Sequence, residues 1–194
     1  MTNGALAALA GSFVVVALAE MGDKTQLIAF SLASRYRRPW VVMLGILLAT
    51  LANHALAASV GVWLAATVSE RVLAIVLGLG FLAFGVWTLF PNRAPELREQ
   101  RRWGPLAATA AAFFLAEMGD KTQLATVALA ARYGAPVAVT AGTTAGMLVS
   151  DGLAVFAGTW LGDVVPMGLI RAVAATLFFL YGAAAFGRAA GLFG

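Results

Sequence analysis

The sequence predicts an all-α integral membrane protein with six transmembrane helices arranged as two inverted three-helix repeats. Three observations carry this expectation. Of the 194 residues, 61% are hydrophobic and 11% charged, whereas soluble domains run at about 45–50% apolar and about 25% charged. The apolar residues fall in unbroken blocks long enough to cross a bilayer. One charged octet occurs twice, at matching places in the two halves of the chain.

The apolar blocks run from Ala5 to Ser34, Trp40 to Thr67, Val72 to Phe90, Gly104 to Ala131, Pro136 to Leu161 and Pro166 to Phe186. A helix needs about 20 residues to span the hydrocarbon, so the longer blocks must tilt, break or reach the headgroups. The first block has no basic segment before it, so a cleaved signal peptide is not expected. Trp40, Trp63, Trp103 and Trp160 fall near block ends, as interfacial anchors do. The abundant glycine and alanine suit close helix packing.

Arginine placement sets the orientation. Arg35, Arg37, Arg38, Arg93, Arg98, Arg101, Arg102 and Arg171 share one set of loops; Arg71, Arg132 and Arg188 belong to the other. The positive-inside rule makes the richer set cytoplasmic and leaves both termini outside. The expected units are residues 1–90, a cytoplasmic linker at 91–103, and residues 104–194.

Composition narrows the chemistry. The chain has no Cys, one His and a net charge of +4. Thiolate metal sites and imidazole-rich zinc or copper sites are excluded. No basic run is interleaved with aromatics, so nucleic acid is not an expected partner. No motif for a prosthetic group or a catalytic triad is present, and an enzyme is not expected.

The octet Glu-Met-Gly-Asp-Lys-Thr-Gln-Leu spans Glu20 to Leu27 and recurs unchanged from Glu117 to Leu124, an offset of 97. The same offset pairs Arg35 with Arg132, Tyr36 with Tyr133, Gly45 with Gly142, Trp63 with Trp160 and Gly85 with Gly182. Three spans per half reverse the second copy across the bilayer, the arrangement of inverted-repeat transporters. Glu20 and Glu117 each precede an arginine by 15 residues, roughly 22 Å of helix, which places both octets deep in the hydrocarbon.

Six formal charges sit there: Glu20, Asp23, Lys24, Glu117, Asp120 and Lys121. Exposed to lipid they would cost about 15–20 kcal/mol together, so they must face one another, water or an ion. Four carboxylates and two ammonium groups leave a charge of −2, which one divalent cation cancels. Glu20, Asp23 and Gln26 share a helical face, as do Glu117, Asp120 and Gln123. Hard oxygens of this kind suit calcium, magnesium and manganese; Met21 and Met118 are expected to pack against neighbouring helices rather than to ligate. Gly22 and Gly119 allow close backbone approach or local unwinding. Lys24 and Lys121 offset surplus acid charge. Thr25 and Thr122 either donate a hydroxyl to the site or bond the preceding turn. His54 and Asp151 are repeat equivalents, as are Asn53 and Ser150; each is a helix-bridging group or a support for the site. Crowded carboxylates in a low dielectric take up protons when no metal is bound, and metal binding expels those protons. That exclusion is the core of an antiporter. A purely structural ion network is the plainer alternative.

At these residues the chain resembles the small membrane cation exchangers that include bacterial MneA-type manganese exporters, whose eukaryotic relatives exchange manganese and calcium in the Golgi. The resemblance covers both halves, with both motifs matching at Glu20, Gly22, Asp23, Lys24 and Thr25 and at Glu117, Gly119, Asp120, Lys121 and Thr122. It implies export of a divalent cation against protons, with the motif acids as ligands. Manganese is the expected bacterial substrate and calcium the alternative, and the compact loops suit a bacterial inner membrane. A passive cation channel and an intramembrane lipid-phosphate hydrolase complete the alternatives. The hydrolase lacks the arginine or histidine cluster that would hold phosphate beside the acids.

Overall fold

A computed structural model gives the fold and describes residues 2–90, 103–164 and 167–191. The chain forms α1 (Thr2–Glu20), α2 (Lys24–Tyr36), α3 (Pro39–Thr67), α4 (Glu70–Leu89), α5 (Pro105–Glu117), α6 (Lys121–Tyr133), α7 (Pro136–Val164) and α8 (Met167–Ala189). No strand occurs among the described residues. The linker expected at 91–103 lies outside the described residues except at Trp103.

Of the ways open to the long blocks Ala5–Ser34 and Gly104–Ala131, both take the break: each is two helices. The break falls inside the octet. Gly22 and Gly119 adopt φ of 78° and 77°, a left-handed conformation that L side chains occupy only at a cost. Asp23 and Asp120 follow in extended conformation as N-cap residues of α2 and α6. The turn is closed by Asp23 N–H donating to the Glu20 carbonyl at 3.0 Å, and by Asp120 N–H donating to that of Glu117 at 3.1 Å. Pro39 and Pro136 start α3 and α7, where a missing N–H is harmless.

Among the described residues, five helices are long and apolar enough to cross a membrane: Asn3–Glu20, Pro39–Thr67, Glu70–Leu89, Pro136–Phe156 and Ala172–Ala189; Pro105–Glu117 is a shorter apolar helix. Their outer faces carry large apolar side chains, among them Leu6, Leu44, Leu48, Leu56, Val60, Leu79 and Leu180, all exposed. The buried residues include Glu20, Asp23, Gln26, Thr50, Asn53, His54, Glu117, Asp120, Ser150 and Asp151. Polar inside and apolar outside is the polarity of a protein solvated by lipid. Trp40, Trp63 and Trp103 stand exposed near helix ends, as anchors at a membrane interface do.

Packing follows the repeat. α1 lies along α7, α5 along α3, and α4 along α8. Glycines make these approaches close: a methyl at Gly146 would come within 2.6 Å of the Phe13 carbonyl oxygen, and one at Gly61 would overlap that of Val127. The exchange of halves is not complete, however. α4 packs against α6, and α8 against α1, while α2 leans on α7 and α5 on α3.

The α4–α8 seam is aromatic. Phe81 packs between Phe178 and Tyr181, with ring centroids 6.3 and 5.3 Å away. At the end of this seam the Tyr133 and Tyr181 hydroxyls are 2.9 Å apart, above Gly11, where a methyl would strike both hydroxyls. The Arg132 guanidinium lies 5.2 Å from the Tyr181 ring centroid. In the first half, Arg35 lies over Tyr36 at 5.8 Å, but Phe84 stands where the repeat would place the second tyrosine.

Candidate metal centre

The two breaks meet inside the molecule, and each contributes the same set of contacts. In the first, Thr25 Oγ1 donates to Glu20 Oε2 at 2.7 Å; in the second, Thr122 Oγ1 donates to Glu117 Oε2 at 2.8 Å. Gly22 N–H donates to Gln26 Oε1 at 2.8 Å, and Gly119 N–H to Gln123 Oε1 at 2.6 Å. A glutamine four residues on therefore satisfies the N–H freed where the helix opens. Gln26 and Gln123 thus spend their amide oxygens on the break, each keeping one lone pair.

The halves are crossed by two ion pairs. Lys24 Nζ lies 2.9 Å from Asp120 Oδ1, and Lys121 Nζ lies 3.3 Å from Asp23 Oδ1. Each lysine neutralises an acid of the opposite motif. The remaining carboxylates are Glu20 and Glu117, at 0% and 1% exposure. Their threonine bonds occupy one oxygen each; Glu20 Oε1 and Glu117 Oε1 have no hydrogen-bond partner, nor has Asp120 Oδ2. Oxygens of Glu20, Glu117 and Asp120 all lie within 4.8 Å of one another. Asp23 stands outside that trio, held by Lys121.

Buried carboxylates with free oxygens are costly unless something compensates them. A cation centred among three oxygens at that spacing would sit at most about 2.8 Å from each, within a few tenths of an ångström of the distances of about 2.3–2.6 Å typical of calcium. A slight contraction brings the three into coordination range.

Around this trio stand groups the octets alone do not specify. Gln26 Nε2 donates to the Ser150 carbonyl at 2.8 Å and is 3.0 Å from Ser150 Oγ. Gln123 Nε2 reaches Asn53 Oδ1 at 3.5 Å, and Asn53 Nδ2 donates to the Phe114 carbonyl at 3.1 Å. The repeat-equivalent Asn53 and Ser150 thus anchor α3 and α7 to the helix breaks. Asp151 is fully buried with both oxygens unpartnered. At the equivalent position, His54 Nδ1 lies 3.3 Å from Thr144 Oγ1, and Nε2 is unpartnered. The two motifs are unequally covered: Gln26 is buried and Gln123 only partly so, and Met118 is 54% exposed.

Apolar helices wrapped around a carboxylate trio and two crossed lysine pairs define an integral membrane protein that handles a divalent cation. The chain belongs to the GDT1 family, the divalent cation/proton antiporters, whose family model matches residues 8–96 and again 105–191. It is a transporter, not an enzyme. It is 47% identical to a Vibrio cholerae protein named "Putative manganese exporter", over 92% of this chain and 90% of that one. It is 29% identical to a GDT1-like protein of Synechocystis, over 91% and 95% of the two chains. A chloroplastic GDT1-like protein of Oryza sativa is 28% identical over 90% of this chain and 59% of its own length. No solved structure matches the chain.

Proposed function

We propose that the protein exports manganese across the bacterial inner membrane in exchange for protons, with Glu20, Glu117 and Asp120 as the direct ligands. Asp23, Gln26 and Gln123 complete the site, and Gly22, Lys24, Thr25, Gly119, Lys121, Thr122 and Asp151 support it. The observation that carries this reading is the trio of buried carboxylate oxygens within 4.8 Å, two of them from glutamates that no cation neutralises. The name of the Vibrio relative adds manganese as the ion.

The coupling follows from charge. Three acids this close repel one another, and either protons or a divalent cation relieves the repulsion. Ligation needs the carboxylates ionised, so a metal arriving from one side displaces protons, and protons arriving from the other displace the metal. Thr25 and Thr122 hold one oxygen of each glutamate, leaving the other for the exchanging species. Residues 1–90 and 104–194 act as inverted halves of six spans, counting α1–α2 and α5–α6 as one each, with both termini outside.

The test uses sealed vesicles carrying the purified protein under an imposed pH gradient, with uptake of manganese, calcium and magnesium measured separately. Manganese should move fastest and collapse the gradient as it moves, and Asp23→Asn and Asp120→Asn should each suppress both fluxes. Manganese movement that leaves the proton gradient intact would overturn the exchange, and faster calcium movement would overturn the choice of ion.

A further inference from the structure

Far from the carboxylates, the ends of four helices enclose a cavity of about 920 Å³. Ala65 closes α3 there, Glu70 and Arg71 open α4, Arg132 ends α6 and Arg188 ends α8. Arg71, Arg132 and Arg188 are all the arginines that the sequence places on that side of the membrane. With Glu70 they give the cavity a net charge of +2. The ion pairs among the described residues are those of Lys24 and Lys121, so none of the three guanidinium groups has a carboxylate of a described residue within 4 Å. Arg132 is braced by the Tyr181 and Tyr133 rings at 5.2 and 5.9 Å; a guanidinium stacked on a ring keeps its N–H edge for another partner.

Below the charges the lining turns apolar, through Leu73, Leu77 and Ala185. Trp63, 65% exposed on α3, marks the same end of the molecule as interfacial. The cluster is also not repeated at its duplicated positions. The repeat partners of Glu70 and Arg71 are Met167 and Gly168, and that of Arg188 is Pro91. Only Arg132 has a charged counterpart, Arg35. Duplication therefore does not explain the cluster.

Three arginines unpaired among the described residues, over an apolar floor at interfacial depth, match a phosphate group with hydrocarbon beneath it. We propose that this cavity is a phosphate-anion site, taking the phosphodiester of an anionic phospholipid or a free phosphate and tying α4, α6 and α8 together. The volume is at the upper end of ordinary ligand pockets, about 300–1,000 Å³, enough for a headgroup and the start of its chains.

The experiment follows thermal unfolding and native mass of the full-length, delipidated protein in detergent, titrated with phosphatidylglycerol, phosphatidylcholine or inorganic phosphate. Phosphatidylglycerol should raise the unfolding temperature and remain bound at one copy per chain, whereas phosphatidylcholine should do neither. Arg71→Gln with Arg188→Gln should weaken that binding by about tenfold or more, and Glu70→Gln should strengthen it, a second arm that survives if the double variant folds badly. Equal protection by millimolar inorganic phosphate, lost in the double variant, assigns the site to a free anion. Protection by phosphatidylglycerol that neither the arginine pair nor Glu70 alters, or no protection by any phosphate, overturns the proposal.

Discussion

Replacing Glu117 with glutamine keeps the shape of the trio and removes one of its charges. With a divalent ion roughly 2.8 Å from each oxygen, one carboxylate attracts it by about 12 kcal/mol at an effective dielectric of about 20. In the exchange mechanism the metal displaces a proton that relieved this carboxylate's repulsion with its two neighbours at up to 4.8 Å, and restoring that repulsion offsets about 7 kcal/mol of the attraction. The glutamine oxygen recovers part of the remaining ~5 kcal/mol, so a net loss of about 3–4 kcal/mol is expected, between roughly 10²- and 10³-fold in affinity. Calorimetric titration of manganese into purified wild-type and Glu117→Gln protein at one fixed pH measures it directly. Glu20→Gln should lose a similar amount, because its threonine bond and burial match those of Glu117. A loss below tenfold in both variants, in protein that still unfolds cooperatively, would refute the trio as the site.

Lys24→Met should leave Asp120 as an uncompensated buried charge, destabilising the metal-free protein by about 3–5 kcal/mol. Adding Asp120→Asn should restore most of that, as read from thermal unfolding with and without manganese; no recovery would show that the pair is not what holds the breaks together. Gly119→Ala has open space for its methyl, so its cost is the left-handed backbone alone, about 1–2 kcal/mol. Gly119→Asn should cost less, and an equal cost for both would disprove the backbone explanation. Gly61→Ala forces α3 away from the Val127 carbonyl and should cost about 1–3 kcal/mol in stability, with manganese affinity in the surviving folded protein unchanged.

The octets were legible because charge in hydrocarbon is expensive: six costly side chains repeated without change have few uses. The inward placement of Glu20 and Glu117 follows from the same reasoning. The division of two long apolar blocks into four helices was less legible. An apolar run of 30 residues looks the same whether it tilts or breaks, and only Gly22 and Gly119 hint at the break. The anchors at Asn53 and Ser150 were visible as repeat equivalents, but their partners Gln123 and Gln26 lie 70 and 124 residues away. Such long-range pairings depend on how helices cross, which no local pattern records. The crossed lysine pairs were hidden for the same reason: charge balance required partners for Lys24 and Lys121 without saying that each belongs to the other motif.

The joined hydroxyls of Tyr133 and Tyr181 add to what makes the two halves of a duplicated chain unequal. The repeat-equivalent residues, Tyr36 and Phe84, carry one hydroxyl between them and cannot form that bond. A neutral hydrogen bond is worth about 1 kcal/mol net, roughly fivefold in any equilibrium that breaks it. A carrier assembled from two related halves is thereby biased toward whichever arrangement keeps that bond.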